Sequence, residues 1–285
     1  MKTKNSVFIY YVNGKFIDSN HAFINILDIG LLRGYGVFDF LITYKGKPFL
    51  LNEHIKRLFN SASSIGLKIG KSESEIRNII IQTLQKNLSD TEKSIRIVIT
   101  GGVGISTTEP GDKPTIIVII DDKHDYPAEY YKNGIKVITF SYTRALASVK
   151  SLDYSMGIKA LDKARHKNAQ EAIYVDQISK TVSEATTSNV FIIKKGKIST
   201  SNENILKGMT RNLVIKLLSQ IKPVTEKQVN LKQLLSADEV FITASNKEVI
   251  PVTKIDNHNV GDGKVGPTTK KVMHVFRDYI EKGIW

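Results

Sequence analysis

VFDFLITYKGKPFLLNEHIKRLFNSASSI, residues 37–65, reads as a hairpin running straight into a helix. Val37 to Tyr44 is rich in β-branched and aromatic residues, Lys45-Gly46 is a turn by type, and Lys47 to Leu51 returns as a second strand. Asn52 has the chemistry of a helix N-cap, and behind it Ile55, Leu58, Phe59, Ala62 and Ile65 fall on one helical face. Strands and helices that follow one another without strict alternation point to an α+β fold rather than a doubly wound sheet.

Working outward, Val7 to Val12, Asn13-Gly14 and Lys15 to Ile17 predict a further hairpin. Ser72 with Glu75 forms a capping box ahead of Ile76, Ile79, Ile80 and Leu84. Ile95 to Thr100 and Thr115 to Ile120 are apolar and β-branched, hence strands. The polar, proline-containing stretch 121–129 is the expected linker between a small N-terminal domain, 1–120, and a larger C-terminal domain, 130–285. Beyond it, strands are expected at Lys136–Phe140, Ala172–Val175, Val190–Lys194 and Glu239–Thr243, with helices over Tyr154–Asn168, from near Thr210, and over Pro267–Ile280.

Composition bounds the chemistry. The 285 residues are 41% hydrophobic and contain no cysteine, which excludes disulfides, thiolate metal sites and cysteine nucleophiles and suits a reducing cytoplasm. The apolar run Val7–Val12 is too short for a signal-peptide core, and Thr115–Ile120 is too short to span a bilayer, so no membrane association is expected. The net charge of +13 is spread along the chain with no arginine-rich block. Nucleic-acid binding, the reading of another class, therefore gains little from it, whereas an anionic cofactor and anionic substrates suit it. The six histidines show no metal-ligand spacing, and no metal is implied. Gly101-Gly102-Val103-Gly104 lacks the Gly-Lys-Ser/Thr ending of a phosphate-binding loop and is expected to be a flexible loop at an active-site mouth.

Five segments carry chemistry by residue type: His54-Ile55-Lys56-Arg57-Leu58, Ser148-Val149-Lys150-Ser151-Leu152-Asp153-Tyr154, Val182-Ser183-Glu184-Ala185, Lys207-Gly208-Met209-Thr210-Arg211, and Thr243-Ala244-Ser245-Asn246-Lys247-Glu248 running on to Val252. A lysine flanked by small and apolar residues can be a Schiff-base amine, because burial favours the neutral form. An arginine presents a rigid fork of donors to phosphate, and a glycine-led helix start offers backbone N–H groups to an anion. Each signal alone also describes an ordinary surface lysine, a surface arginine or any helix start.

In order and spacing the five segments resemble the class-IV aminotransferases, the fold type IV pyridoxal 5'-phosphate (PLP) group that includes branched-chain aminotransferases, D-amino-acid transaminases and 4-amino-4-deoxychorismate lyases. The resemblance implies a two-domain D-amino-acid-aminotransferase-like fold, with a small and a larger domain. It implies that Lys150 is the catalytic lysine bonded to the cofactor and that Glu184 faces the pyridine nitrogen. Arg57, Met209, Thr210, Ser245 and Asn246 would hold the phosphate, and Tyr154 the phenolic oxygen, unless that tyrosine only packs. Arg96, with Ser94 where L-branched-chain members commonly have tyrosine, would clamp the substrate carboxylate. Arg33, otherwise a surface or dimer-contact residue, would assist it, and Tyr35 would line the pocket wall. The implied reaction is ping-pong transfer of an amino group between an amino acid, branched-chain L- or D-, and a 2-oxo acid such as 2-oxoglutarate, by a homodimer. A lyase that expels pyruvate from 4-amino-4-deoxychorismate, using the same lysine, is the alternative.

Overall fold

The computed structural model describes residues 7–283 and 285, and the expected first domain therefore includes six residues, 1–6, outside the described ones. The chain divides into two compact units, Met1–His124 with Val149–Asp153, and Asp125–Ser148 with Tyr154–Trp285. The short segment around Lys150 thus clusters with the first unit, although in sequence it lies well inside the expected C-terminal domain.

In the first unit the strands are β1 (Ile9–Val12), β2 (Lys15–Asp18), β3 (Gly36–Tyr44), β4 (Lys47–Pro48), β5 (Lys93–Thr100) and β6 (Thr115–Asp122). Among the described residues they form one sheet in the order β2-β1-β6-β5-β3-β4. The helices are α1 (Ile29–Arg33), α2 (Leu51–Ser64) and α3 (Glu73–Gln85). Period-2 alternation gives the sheet two different faces. Leu41 of β3, Ile95, Ile97 and Ile99 of β5, and Val118 and Ile120 of β6 pack with Ile55, Leu58 and Ala62 of α2 and Ile76, Ile80 and Leu84 of α3 into one buried cluster. Each such side chain contributes on the order of 1.5–3 kcal/mol by leaving water. The opposite face carries Phe38, Phe40, Arg96 and Val98, paired Phe38 to Val98 and Phe40 to Arg96.

The capping box of α3 forms as expected, with Ser72 Oγ accepting from the Glu75 amide and Glu75 answering to the Ser72 amide. Asn52 does not cap α2. β4 ends at Pro48, the Phe49 amide still donates to Ile42 O at 2.9 Å, Leu50 turns into the left-handed region at φ 51°, and the helix starts at Leu51 without a side-chain cap. The glycine-rich loop is not slack either. Gly101 and Gly102 are buried, the Ile29 amide donates to Gly102 O at 2.9 Å, and Val103 bridges to Asp28. Within the stretch expected as linker, 121–129, β6 runs to Asp122 and a helix begins at Ala128.

In the second unit the strands are β7 (Ile135–Ser141), β8 (Glu171–Val175), β9 (Thr181–Ala185), β10 (Asn189–Lys194), β11 (Lys197–Thr200), β12 (Val224–Glu226), β13 (Val229–Asn230), β14 (Glu239–Ala244), β15 (Glu248–Ile255) and β16 (His258–Asn259). The helices are α4 (Ala128–Asn133), α5 (Ser155–His166), α6 (Met209–Leu218), α7 (Leu231–Leu235) and α8 (Pro267–Lys282). The described sheet runs β12-β11-β10-β14-β15-β7-β8-β9-β13, with β16 beside β15. Among its described strands, only the contacts of β7 with β8 and β15, and of β11 with β12, are parallel. Tyr154 stands as the N-cap of α5 rather than inside the helix. No described helix is long and apolar enough to cross a membrane.

Candidate active site

In the first unit, Lys150 is fixed through its backbone. The Phe38 amide donates to Lys150 O at 2.9 Å, the Leu152 amide to Gly36 O at 3.1 Å, and the Lys150 amide to Ser61 Oγ at 3.2 Å. Gly36 permits this approach, since a Cβ there would stand 2.6 Å from Leu152 Cδ1. The Lys150 ammonium lies 4.4 Å from the centroid of Phe38. Two residues along β3 on the same face, the Arg96 guanidinium lies 5.8 Å from the centroid of Phe40. The amine and the guanidinium thus stand on one face of one sheet, the face opposite the helices.

Beneath them lies a cluster the sequence reading passed over. Asp39 points inward from β3, fully buried between Val37 and Leu41. Its Oδ1 accepts from Arg57 Nη2 at 2.8 Å and from the Phe40 amide at 2.7 Å, and its Oδ2 accepts from Arg57 Nε at 2.8 Å. His54 Nδ1 is 2.6 Å from Asp39 Oδ1. Burial alone would raise the Asp39 carboxyl, but the Arg57 guanidinium and His54 hold it well below the carboxylate range. Burial, opposed by Asp39, holds His54 below its ordinary value. Proximity to a carboxylate argues for imidazolium, yet Arg57 already answers that charge, and His54 Nε2 is buried without a partner. A protonated ring would bury an orphaned donor, so neutral imidazole donating from Nδ1 is the consistent state. A charged residue at an inward position of an apolar strand was the available signal. Of the remaining candidates, Arg33 is exposed and donates to Leu32 O, and Tyr35 is half-buried with its hydroxyl donating to Ile65 O at 3.0 Å.

In the second unit, Glu184 is buried on β9. Its Oε1 accepts from Arg144 Nη1 at 2.7 Å, and its Oε2 from the Leu206 amide at 3.0 Å and from Asn189 Nδ2 at 3.4 Å. Arg144 also donates to Ala147 O. Burial opposes the Arg144 charge, but Glu184 outweighs it and holds the guanidinium above its ordinary value. Tyr154 also favours the Arg144 charge electrostatically. Met209 and Thr210 open α6 behind Gly208, with no side chain capping the helix. A side chain at residue 208 is excluded, since a Cβ there would stand 2.2 Å from Asn189 Oδ1. A helix start without a side-chain cap is of a kind that can donate its first-turn amides to an anion. Ser245 and Asn246 form, with Lys247, the tight turn between β14 and β15. Asn246 Nδ2 donates to Tyr126 Oη at 3.0 Å.

The profile of the class IV amino-transferase family matches residues 36–255. The chain belongs to the class IV aminotransferases. It is 38% identical over 279 residues to a Methanocaldococcus jannaschii protein with the provisional name branched-chain-amino-acid aminotransferase, covering 94% of this chain and 95% of that one. It is 37% identical over 279 residues to a D-alanine aminotransferase of Staphylococcus haemolyticus, covering 95% and 97%. The crystal structure of a T.th. branched-chain amino acid aminotransferase with pyridoxamine 5'-phosphate superposes with a TM-score of 0.90 at 26% identity, covering 96% of this chain and 94% of that chain.

The α+β, fold type IV architecture follows, as does the use of PLP. The groups present fit that cofactor. A primary amine suits its aldehyde and a buried carboxylate suits a pyridinium nitrogen; the guanidinium of the first unit, and in the second unit an uncapped helix start and a turn with hydroxyl and amide groups, are each of a chemistry that suits a phosphate. Among the described residues no cluster could hold a metal ion.

Proposed function

We propose that this class IV aminotransferase transfers the amino group of an amino acid, branched-chain L- or D-, to a 2-oxo acid such as 2-oxoglutarate, with Lys150 as its catalytic residue. The observation that carries the reading is the sharing of one sheet face by the Lys150 amine and the Arg96 guanidinium. An α-amino acid brings an amine to be exchanged and a carboxylate to be gripped, and that face offers a group for each. Bound PLP supplies an electron sink for the substrate's α-carbon electrons. Lys150 holds the cofactor and, once released, moves the proton at the α-carbon as general base and then acid. Glu184, braced by Arg144 and the Leu206 amide, keeps a proton on the ring nitrogen. Tyr154 answers the phenolic oxygen. Arg57, Met209, Thr210, Ser245 and Asn246 hold the phosphate. Arg96, with Arg33, grips the substrate carboxylate, and Tyr35 walls the pocket.

The small N-terminal and larger C-terminal domains are taken to divide these tasks, with the first bearing the carboxylate grip. A second copy of the chain is the expected partner. Phe23, Ile26 and Leu31 are 76%, 75% and 60% exposed on the first unit, an apolar stretch that a homodimer would cover. The cytoplasm is the proposed compartment.

The test is a panel of L- and D-amino acids with 2-oxoglutarate, run on the wild type and on Arg96→Ala. Amino transfer is expected, and Arg96→Ala is expected to raise KM for amino acids roughly tenfold or more, the scale of a lost charge-assisted contact, while a carboxylate-free amine is little affected. Equal losses for both would remove Arg96 from the clamp. Pyruvate release from 4-amino-4-deoxychorismate with no transfer to 2-oxoglutarate would favour the lyase.

A further inference from the structure

A second buried ion pair in the larger unit touches none of the groups assigned to cofactor or substrate. Glu171, at the start of β8, is fully buried, and the Lys247 ammonium donates to its Oε2. Around the pair is a ring of hydroxyls. Thr186 donates to Glu171 Oε1, Thr187 donates to Oε2 at 2.8 Å, and Ser188 Oγ is 3.4 Å from Oε2. Lys247 reaches Thr187 Oγ1 at 2.5 Å and Ser188 Oγ at 3.2 Å, and lies 5.8 Å from the centroid of Tyr126, whose hydroxyl accepts from Asn246.

The location gives this cluster its meaning. Thr186 to Ser188 form the turn between β9, which carries Glu184, and β10, which begins at Asn189. Lys247 closes the turn that presents Ser245 and Asn246, with its amide donating to Ala244 O at 3.1 Å. The next residue, Glu248, holds φ 57° in the left-handed region, where a non-glycine residue is strained. A strained tight turn keeps one conformation only if something outside it holds it there. A buried ion pair is weak evidence of net stabilisation, because desolvation offsets the attraction. Fixing a geometry is the better-attested role for such a pair.

We infer that the Glu171–Lys247 pair is a positioning device that fastens the Ser245–Asn246 turn to the Thr186–Ser188 turn that follows Glu184, so that the phosphate contacts stand at a set place relative to the pyridine partner. This rests on the reading of Ser245 as a phosphate contact. Lys247 itself does not touch the cofactor.

The experiment titrates the apoenzyme with PLP, with pyridoxal lacking the phosphate, and with inorganic phosphate as competitor. It compares wild type, Lys247→Met, Lys247→Arg, the double variant Lys247→Met with Glu171→Gln, and Ser245→Ala, and records thermal unfolding of each apo form. Lys247→Met and the double variant are expected to weaken PLP and phosphate binding roughly tenfold, by analogy with the loss of groups that orient metal ligands. Pyridoxal binding should change less than about twofold, and Lys247→Arg should recover most of the loss. The double variant leaves no unpaired charge, so it reports even if Lys247→Met does not fold. Weakening of PLP by Ser245→Ala with wild-type PLP affinity in the double variant overturns the inference alone. Equal weakening of PLP and pyridoxal overturns it as well, since a loosened fold would do that. Unchanged PLP affinity in Ser245→Ala overturns the phosphate reading beneath it.

Discussion

Asp39 and Glu184 are both buried carboxylates answered by an arginine, and the two pairs are built the opposite way round. Both oxygens of Asp39 are occupied by Arg57, His54 and the Phe40 amide, and none of the residue is exposed, whereas the Arg57 side chain keeps 11% of its surface. There the carboxylate is the brace and the arginine is the end on offer. In the other unit, Arg144 ties Glu184 to Ala147 O, and a backbone amide and an asparagine add to the hold. There the arginine is the brace, and the carboxylate is the group proposed to work on the cofactor. On the proposed reading, the same charge pair would orient a cation for an anionic phosphate in one place and an anion for a protonated ring in the other. Removing the working partner should cost function, and removing the brace should cost stability.

The largest effect is expected at Glu184. Glu184→Gln keeps the shape and the contact to the Leu206 amide but loses the charge proposed to hold the ring-nitrogen proton. Turnover should fall on the order of 10²–10³-fold, the range seen when one preorganised electrostatic group is lost. Steady-state kinetics at saturating cofactor would show it. Turnover within threefold of wild type would mean that Glu184, like Asp39, is only a brace.

Next comes Asp39→Asn. The guanidinium of Arg57 loses its counter-charge in a buried setting, and breaking such a pair from one side costs about 3–5 kcal/mol. Chemical denaturation of the apo form measures this. A loss below about 1 kcal/mol would show that the fold does not depend on the brace and would end the symmetry between the pairs.

What the sequence showed and what it hid separate along the same line. Lys150, Arg57, Glu184 and the Gly208-Met209-Thr210 helix start were singled out only because five short segments stand in a shared order and spacing, since no one of them is distinctive by itself. Their partners were not, because pairing brings together residues far apart in the chain. Arg144 is 40 residues from Glu184, Lys247 is 76 from Glu171, and Asp39 is 18 from Arg57. Nothing local distinguishes Arg144 from a surface arginine. Hydrophobic periodicity exposed α2, α3 and the apolar strands. It missed β9, whose Thr181-Val182-Ser183-Glu184-Ala185 is too polar for a strand pattern and is buried because its polar groups are paired. Asn52 failed as a cap because Leu50 takes the left-handed turn and α2 already starts at Leu51, which puts Asn52 inside the helix.

Arg57→Ala should act on the cofactor rather than on the chemistry. A charge-assisted contact to phosphate contributes about 1.5–3 kcal/mol, so cofactor affinity should fall by roughly one to two orders of magnitude. Dialysis followed by titration with fresh cofactor measures it. Unchanged affinity would mean that Arg57 serves only to neutralise Asp39, and both pairs would then have the carboxylate as their centre.

The smallest effect separates the two members of the Asp39 brace by pH. Asp39 is held far below the carboxylate range, so its stabilisation persists above that range and is lost only in strong acid. His54 is held below its ordinary value of about 6.5. As pH falls through that value the unfolded chain takes up a proton that the folded chain refuses, so stability present above about pH 6.5 declines below it. One such proton contributes at most about 1.4 kcal/mol per pH unit. His54→Asn, whose side-chain amide can still donate to Asp39, should remove that share of the slope between about pH 7 and pH 5.5. The substitution leaves every other residue in place, so the difference between the two slopes isolates His54. A difference of the opposite sign, with wild-type stability rising as pH falls, would mean that His54 is already protonated in the folded state. The Asp39 cluster would then carry two cations against one carboxylate, and its likeness to the Glu184 cluster would be lost.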